Sequence, residues 1–323
     1  MPAARRFDVC NGDADGLCAV VQWRLHDPGP ATLVTGLKRE IALLERVPAA
    51  AGDEVLVCDL SMQRNRAALM RLLDAGVRVR YFDHHAVDGI PQHSRLDAHI
   101  EFGSAVCTSL LVDRHLGGRY QRWALVGAYG DNLTAVAERL AIEAGIAGDE
   151  RARLRRLGES INYNAYGDDE SDVAIAPARL FEILERYRDP LELLAHEPIA
   201  RRLDEQRRND LAQAASVPVH WQDEGASVLL LPDAPWSRRV IGCLANERAQ
   251  AEPNRAHAVL KRQAAGALVV SVRAPLAAPN GANDLCRRFG GGGRAAAAGI
   301  DALPEADLDA FVTALAQQRW GAL

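Results

Sequence analysis

Residues 77–85 read Val-Arg-Val-Arg-Tyr-Phe-Asp-His-His, an alternating run followed by one acid and two imidazoles. Alternation of apolar and polar residues is typical of a β-strand. Asp83, His84 and His85 are therefore predicted to follow the carboxyl end of a strand, where open α/β sheets place their ligand sites. An acid beside two imidazoles at such a position suits a metal centre.

Three further acidic groups follow apolar segments in a similar way. They are Asp13 and Asp15 after residues 7–10, Asp59 after residues 55–58, and Asp131 after residues 123–129. The segment before Asp131 fits a helix as well as a buried strand, because periodicity does not separate the two. If all four segments are strands of one sheet, their ends converge on one crevice.

Strand and helix patterns alternate through the first half of the chain and predict an α/β fold with a doubly wound, mainly parallel sheet. Residues 88–101 are predicted as a loop. A helix that Ser104 or Thr108 could cap is predicted to run toward residue 116. From residue 134 to 215 the pattern is mostly helical, with a polar interruption at 162–177. The predicted strands are 7–10, 31–37, 55–58 and 77–82, and the predicted helices are 17–25, 41–47 and 65–75.

Beyond residue 215 the pattern changes and predicts a smaller C-terminal α/β domain. Strands are expected at 226–231 and 268–273, with helices at 241–250 and 305–319. Four glycines, Gly290 to Gly293, precede a helix-like run at 295–298. The predicted domains are residues 1–195, which carry the metal site, a helical connector at 196–215, and a substrate-binding domain at 216–323.

Composition limits the class of protein. The 323 residues carry a formal charge of −5, which disfavours a protein that coats long duplex DNA through phosphate contacts. The six cysteines form no C-x-x-C pair and are predicted to be reduced core thiols. No export signal and no membrane-length apolar run is present, so a cytoplasmic location is expected.

The acidic groups require compensating positive charge. Two carboxylates 4 Å apart repel by roughly 4 kcal/mol at an effective dielectric near 20. Because no lysine or arginine stands inside the four motifs, bound metal is the simplest answer, and oxygen-rich ligands with one or two imidazoles favour Mn²⁺ or Mg²⁺. Asp13 and Asp15 flank Ala14 and could each face a different ion, which predicts a two-ion site that activates water.

These motifs resemble those of the DHH phosphoesterases. The resemblance rests on Asp13-Ala14-Asp15-Gly16, Asp59, Asp83-His84-His85 and Gly130-Asp131-Asn132, and the glycine run resembles the motif of the C-terminal domain associated with that family. It implies a two-lobed α/β protein that holds two Mn²⁺ or Mg²⁺ ions in the N-terminal domain, with a substrate cleft between the domains.

The resemblance also implies roles for individual residues. Asp59 would bridge two ions, Asp13 would serve one of them, and Asp15, His84 and Asp131 would serve the other. Catalytic roles are implied for His85, directed toward the scissile phosphate, and for Asp83, which would orient an imidazole.

A substrate phosphate would be bound by the C-terminal domain. The resemblance implies this role for Arg273, Gly291, Gly292, Gly293 and Arg294. A guanidinium fork matches phosphate oxygens, and glycines let backbone N–H groups approach an anion closely.

Two positions depart from the pattern of the family. Asn11 stands where many relatives have histidine or aspartate, and a neutral amide is a poorer ligand, so the first ion is expected to be weakly held or completed by water. Arg294 stands where the glycine motif usually ends in histidine; it can hold phosphate but does not transfer protons.

The leading functional hypothesis is a metal-dependent phosphodiesterase that hydrolyses short single-stranded oligonucleotides or small dinucleotides. Two alternatives stay open at this point: a phosphomonoesterase or pyrophosphatase-like hydrolase of a small nucleotide, and a catalytically silent nucleotide-binding module. The expected partner is the nucleotide substrate, with no long duplex DNA and no membrane; a homodimer is left open.

Overall fold

A computed structural model describes residues 4–263 and 266–321 of the chain. The chain forms two compact units, one ending at Gln206 and the other beginning at Arg207. This division falls within the segment 196–215 that was predicted as a connector. No helix of the described part is long and apolar enough to cross a membrane.

The N-terminal unit contains a five-stranded sheet in which every pairing is parallel. The strand order is β2-β1-β3-β4-β5. The strands are β1 (Arg6–Asn11), β2 (Thr32–Gly36), β3 (Glu54–Cys58), β4 (Arg78–Asp83) and β5 (Leu96–Ile100). Strand β5 lies in the segment 88–101 that was predicted as a loop, so that prediction was wrong. Its five residues, Leu-Asp-Ala-His-Ile, alternate between apolar and polar, so a short strand signal was present in the sequence and was overlooked.

Successive side chains of these strands enter two different apolar layers, as the period of a β-strand requires. Val55 and Val57 pack in one layer with Val79, whereas Leu56 and Cys58 pack in the other. Both faces of the sheet are therefore covered, which is typical of parallel sheets.

The helices of this unit include a short 3-10 turn at Leu43–Arg46 and lie on both faces. They are α1 (Ala14–His26), α2 (Met62–Asp74), α3 (Thr108–His115), α4 (Gln121–Gly130), α5 (Thr134–Glu143), α6 (Gly148–Asn164), α7 (Pro177–Leu184), α8 (Pro190–His196) and α9 (Pro198–Ala215). Helix α9 continues past Gln206 into the C-terminal unit.

Three predictions in this region need correction. The segment before Asp131 is helix α4, so this acid follows a helix and not a strand. Helix α3 begins after Cys107 and has no side-chain cap, so neither Ser104 nor Thr108 caps it. Helix α6 runs through Asn164, within the segment that was predicted as a polar interruption.

The C-terminal unit has a six-stranded mixed sheet of order β10-β11-β9-β8-β7-β6, in which only β7 and β8 pair in parallel among the described residues. Its elements are β6 (Val219–Gln222), β7 (Ala226–Leu231), α10 (Pro235–Ala251), β8 (Ala256–Arg262), β9 (Ala267–Arg273), α11 (Ala282–Arg287), β10 (Gly292–Gly293), β11 (Ala297–Pro304) and α12 (Leu308–Ala316). The alanines at 295–298 were predicted to be helix-like, but they form a turn and the start of β11. Strand pairing with β9 overrides their helical propensity.

Candidate metal centre

The predicted metal residues lie at the carboxyl edge of the parallel sheet. Strands β1, β3 and β4 are neighbours, and each is followed at this edge by an acidic group. Between β1 and β3 the strand order reverses direction, which is where open α/β sheets bind ligands.

Asp13 and Asp15 open helix α1 but have different partners. Asp13 is the N-cap of α1, and its Oδ1 accepts a hydrogen bond from the Gly16 N–H at 3.1 Å. Asp15 lies against the start of α3, where its carboxylate accepts hydrogen bonds from the Thr108 N–H at 2.7 Å and the Ser109 N–H at 2.8 Å. The Ser109 hydroxyl donates a third bond at 2.6 Å. The first amides of α3 therefore stabilise a buried negative charge.

Asp59 has a backbone conformation that is rare for a residue with a side chain. Its φ is +58°, in the left-handed region, and its N–H donates to the Phe82 carbonyl at 3.0 Å. Strain of this kind persists where surrounding structure holds a side chain in place, and here it holds a carboxylate at the sheet edge. Burial, followed by the charges of Asp13, Asp15 and Asp131, raises the pKa of Asp59 well above its usual value.

Asp131 reaches the site from the end of helix α4. Asn132 follows it in the left-handed conformation, with φ +64°, and the Leu133 N–H bonds back to the Ala128 carbonyl at 2.9 Å, as at many helix ends. Burial and the negative charge of Asp15 raise the pKa of Asp131 to about 7.

His84 stands in the middle of these acids. Its Nε2 is 3.4 Å from Asp59 Oδ1, 3.8 Å from Asp131 Oδ2 and 3.9 Å from Asp15 Oδ2. Two ligands that each lie about 2.1 Å from one ion can be up to roughly 4.2 Å apart, so all three separations suit a shared ion.

Two overlapping groups of three ligand atoms result from this arrangement. Asp15, His84 and Asp131 form one group, and Asp59, His84 and His85 form the other, with all ligand atoms of a group within 4.8 Å of one another. The donor set is mixed carboxylate and imidazole, which fits Mn²⁺ and is compatible with Mg²⁺. A divalent ion would also offset the repulsion that raises the pKa values of Asp59 and Asp131.

Asp83 is fully buried and orients His85. One carboxylate oxygen accepts from the His84 backbone N–H at 2.9 Å and lies 2.6 Å from His85 Nδ1. The second oxygen accepts from the Met62 N–H at 3.3 Å. Burial alone would lower the pKa of His85, but the hydrogen bond to Asp83 and the nearby carboxylates raise it.

Lys38 is a member of the site that the sequence reasoning missed. Its Nζ lies 2.5 Å from Asp13 Oδ2 and donates to Asn162 Oδ1 at 3.1 Å. Burial alone would lower the pKa of Lys38, but the charge of Asp13 raises it well above its usual value. Conversely, Lys38 overcomes the effect of burial on Asp13 and lowers the pKa of that carboxyl.

A signal for Lys38 was present in the sequence. Strand β2 pairs with β1 and ends at Gly36, so the residues that follow it emerge at the same sheet edge as Asp13. Lys38 follows strand β2 as Asp13 follows β1 and Asp59 follows β3, and this position after a strand was the available signal. Asn162 had no comparable signal, because it comes from the far end of helix α6.

Asn11, which the sequence suggested as a poor metal ligand, hydrogen-bonds to both Lys38 and Asp13. Its Nδ2 donates to the Lys38 carbonyl at 3.3 Å, and its Oδ1 accepts from the Asp13 N–H at 3.2 Å. Both ends of the amide are therefore engaged in holding Lys38 beside Asp13.

In the C-terminal unit, Arg273 ends strand β9 and is held by neutral polar groups. Its Nε donates to Asn246 Oδ1 at 2.6 Å, and its Nη1 donates to Ser271 Oγ and the Val272 carbonyl, each at 3.0 Å. These bonds hold the guanidinium at the carboxyl end of β9.

The glycine run forms a hairpin with β11 and does not begin a helix. Arg294 and Ala297 exchange backbone hydrogen bonds across the turn, and Ala297 pairs with Arg273 on β9. The backbones are close here, since a Cβ on Gly291 would lie 2.2 Å from the Gly299 carbonyl oxygen. The Gly293 N–H donates to Asn283 Oδ1 at 3.0 Å and is therefore already engaged. Since residues 297–298 begin strand β11, no helix N-terminus is present there to assist anion binding.

Comparison with known proteins gives the fold. No protein-family profile and no curated protein sequence matches the chain. Among solved structures, a DHH domain protein described as a member of the s1p family of ribosomal proteins has a TM-score of 0.66 at 15% identity, covering 97% of this chain and 86% of that one. The manganese-bound exonuclease RecJ gives a TM-score of 0.62 at 22% identity, covering 96% and 89%.

A third similar structure is the pGpG-specific phosphodiesterase PggH from Vibrio cholerae. Its TM-score is 0.56 at 14% identity, and the match covers 96% of this chain and 97% of that chain. At these identities the likeness establishes the fold. The chain has the fold of DHH domain proteins, and the resemblance that the motifs suggested is confirmed at that level.

Proposed function

We propose that this chain is a divalent-metal-dependent phosphodiesterase that hydrolyses short single-stranded oligonucleotides or linear dinucleotides. The observation that carries the proposal is the position of His84, whose Nε2 lies 3.4–3.9 Å from carboxylate oxygens of Asp15, Asp59 and Asp131. These four side chains come from separate segments, so their convergence is a property of the folded chain.

The residues near His84 would hold the ion and act on the substrate around it. A Mn²⁺ or Mg²⁺ ion held by Asp15, Asp59, His84 and Asp131 would polarise a phosphoryl oxygen and make water a stronger nucleophile. His85, oriented by Asp83 at Nδ1, is left with Nε2 to donate a hydrogen bond to a phosphate oxygen.

Substrate class is inferred from charge and from the similar structures. A formal charge of −5 favours a short anionic substrate over long duplex DNA. RecJ is described as an exonuclease bound to manganese and PggH as a pGpG-specific phosphodiesterase, and both share this fold. In the C-terminal unit, Arg273 and Arg294 are proposed to bind a terminal phosphate, with Gly291, Gly292 and Gly293 shaping the adjacent backbone.

A product analysis tests the proposal. The protein is incubated with Mn²⁺ and a linear diguanylate, a short RNA, a nucleoside bisphosphate or pyrophosphate, and the products are separated by chromatography. We expect mononucleotides from the first two substrates. Release of inorganic phosphate from the last two alone would establish the phosphomonoesterase or pyrophosphatase-like alternative, and no turnover on any substrate would remove the hydrolase proposal.

Matched variants locate the activity. His84→Ala is expected to lower kcat at least 100-fold, because it removes the group common to both ligand sets. His220→Ala is the control, since this histidine is exposed on strand β6 of the C-terminal unit. Equal activity in both variants would contradict the proposed site.

The ion count expected from the sequence was two, with Asp13 serving the first ion. Asp13 belongs to neither of the two ligand groups found among residues 4–263 and 266–321. Its Oδ1 accepts from the Gly16 N–H and its Oδ2 faces Lys38. The proposed function therefore requires at least one ion, at His84.

A further inference from the structure

Lys38 is built into the candidate metal centre and is not a mobile surface residue. Its side chain is 28% exposed, and its Nζ contacts both Asp13 Oδ2 at 2.5 Å and Asn162 Oδ1 at 3.1 Å. The aromatic ring of Tyr166 lies beneath the ammonium, 5.6 Å from Nζ to the ring centroid, at a distance suited to a cation–π contact.

The backbone N–H and the backbone carbonyl of Lys38 are both hydrogen-bonded. Its N–H donates to the Ala165 carbonyl at 3.0 Å, and its carbonyl accepts from Asn11 Nδ2 at 3.3 Å. The side-chain amide of Asn11 also accepts a hydrogen bond from the Asp13 N–H, so this one amide contacts both Lys38 and Asp13. The asparagine at position 11 and Lys38 therefore belong to the same hydrogen-bonded arrangement.

The ammonium occupies the side of Asp13 that a second ion would need. Asp13 Oδ1 caps helix α1 through the Gly16 N–H, and the Lys38 ammonium lies against Oδ2. A divalent ion bound to Asp13 Oδ2 would lie next to the Lys38 ammonium, and two positive charges that contact the same oxygen repel each other strongly. Neither ligand group around His84 includes Asp13, the acid that the Lys38 ammonium contacts.

We propose that the ammonium of Lys38 replaces the second ion, so that the chain holds one tightly bound divalent ion at His84 and a fixed cation at Asp13. This inference rests on the proposed hydrolase function and specifies how positive charge is supplied to its phosphate substrate. Lys38 compensates Asp13, and it presents the remaining face of the ammonium to a phosphoryl oxygen.

Ion counting tests the inference without reference to activity. The full chain is dialysed against Mn²⁺ at low micromolar and at millimolar free concentration, and bound manganese is measured by elemental analysis and electron paramagnetic resonance. We expect about one ion per chain with the spectrum of an isolated Mn²⁺. About two ions per chain with a spin-coupled spectrum in the unmodified protein would overturn the inference.

Variants at Asp13, Lys38 and His84 distinguish the position beside Asp13 from the ion site at His84. Asp13→Asn is expected to keep the bound ion, whereas His84→Ala is expected to lose it. Lys38→Met removes the charge at similar length and is expected to raise the count toward two at millimolar Mn²⁺, while Lys38→Arg keeps one. Loss of the ion in Asp13→Asn, or a count that stays at one in Lys38→Met, would contradict the inference.

Circular dichroism verifies that each variant is folded, and the Asp13→Asn result decides if Lys38→Met does not fold. The failure of this inference is distinct from the failure of the proposed function. Two ions with phosphodiester hydrolysis reject the inference alone. One ion without any hydrolysis rejects the function alone.

Discussion

A buried carboxylate needs donors for its oxygens, and Asp15 obtains them from the start of helix α3. The Thr108 and Ser109 amides and the Ser109 hydroxyl all donate to it, and its side chain is fully buried. These bonds keep the carboxylate in one orientation toward His84. Ser109 therefore acts on the proposed site through Asp15.

Ser109→Ala tests this arrangement. Removal of the hydroxyl leaves a charged acceptor with one donor fewer, so the free energy of unfolding in urea should fall by about 1–3 kcal/mol. Ser160→Ala is the matched control, because Ser160 Oγ is equally buried but has no hydrogen-bond partner in the described part of the chain. Similar losses in the two variants would show that Ser109 contributes volume alone.

Asp53 gives a pH-dependent prediction away from the metal centre. The Arg5 guanidinium and the Ala50 N–H bond to its carboxylate and hold the pKa of Asp53 at about 2. A carboxyl group whose folded-state pKa is lowered stabilises the fold above its unfolded pKa of about 4 and loses that contribution as pH falls toward 2.

We therefore expect Asp53→Asn to be less stable than the unmodified chain at pH 7. The difference should shrink steadily below pH 4, as measured by chemical denaturation across that range. Asp74→Asn, at the exposed end of α2, serves as the control. A difference that stays constant down to pH 3 would exclude the ionic contribution of Asp53.

At the scale of elements, helix α4 decides where Asp131 lies. Its last residue, Gly130, packs against both α1 and α6: a Cβ added there would lie 2.3 Å from Ala14 Cβ and 2.9 Å from the Gly158 carbonyl oxygen. The missing side chain thus allows the end of α4 to approach the start of α1. This close approach places Asp131 at the edge of the sheet, although a helix and not a strand precedes this residue.

Gly130→Ala should displace the end of α4. We expect the free energy of unfolding to fall by about 1–3 kcal/mol through overpacking, and the affinity for Mn²⁺, measured by calorimetric titration, to weaken at least tenfold. Gly148→Ala, at the start of α6, is the control because only the Arg151 side chain comes near an added Cβ, at 3.8 Å. Unchanged Mn²⁺ affinity in Gly130→Ala would contradict the packing argument.

At the scale of the whole molecule, the proposed ion connects distant parts of the N-terminal unit. Its ligands come from the start of α1, the ends of β3 and β4, and the end of α4. An ion that binds the folded chain alone stabilises it by mass action, by about 2.7 kcal/mol when its concentration is 100 times the dissociation constant.

Scanning calorimetry should therefore show an increase in the unfolding temperature on addition of Mn²⁺ and a decrease after treatment with a chelator. His84→Ala should abolish this dependence, and His220→Ala should retain it. A dependence on Mn²⁺ that survives in His84→Ala would place the ion elsewhere.

Much of the N-terminal architecture was accessible from the sequence. The alternating apolar pattern of residues 77–82 and the short apolar runs at 7–10 and 55–58 predicted β4, β1 and β3, which all lie in one parallel sheet. The alternating residues of β5 also carried a strand signal, which was overlooked. The state of the segment before Asp131 was not accessible, because an all-apolar run suits either a helix or a buried strand.

The sequence by itself determined that Asp13, Asp59 and the run Asp83-His84-His85 come at the ends of strands, because the order of polar and apolar residues is a local property of the chain. Only the tertiary structure decided what each acid faces. Lys38 meets Asp13 from 25 positions away and Asn162 from 124 positions away. Contacts over such separations depend on strand order and helix packing, which leave no periodic trace in the sequence.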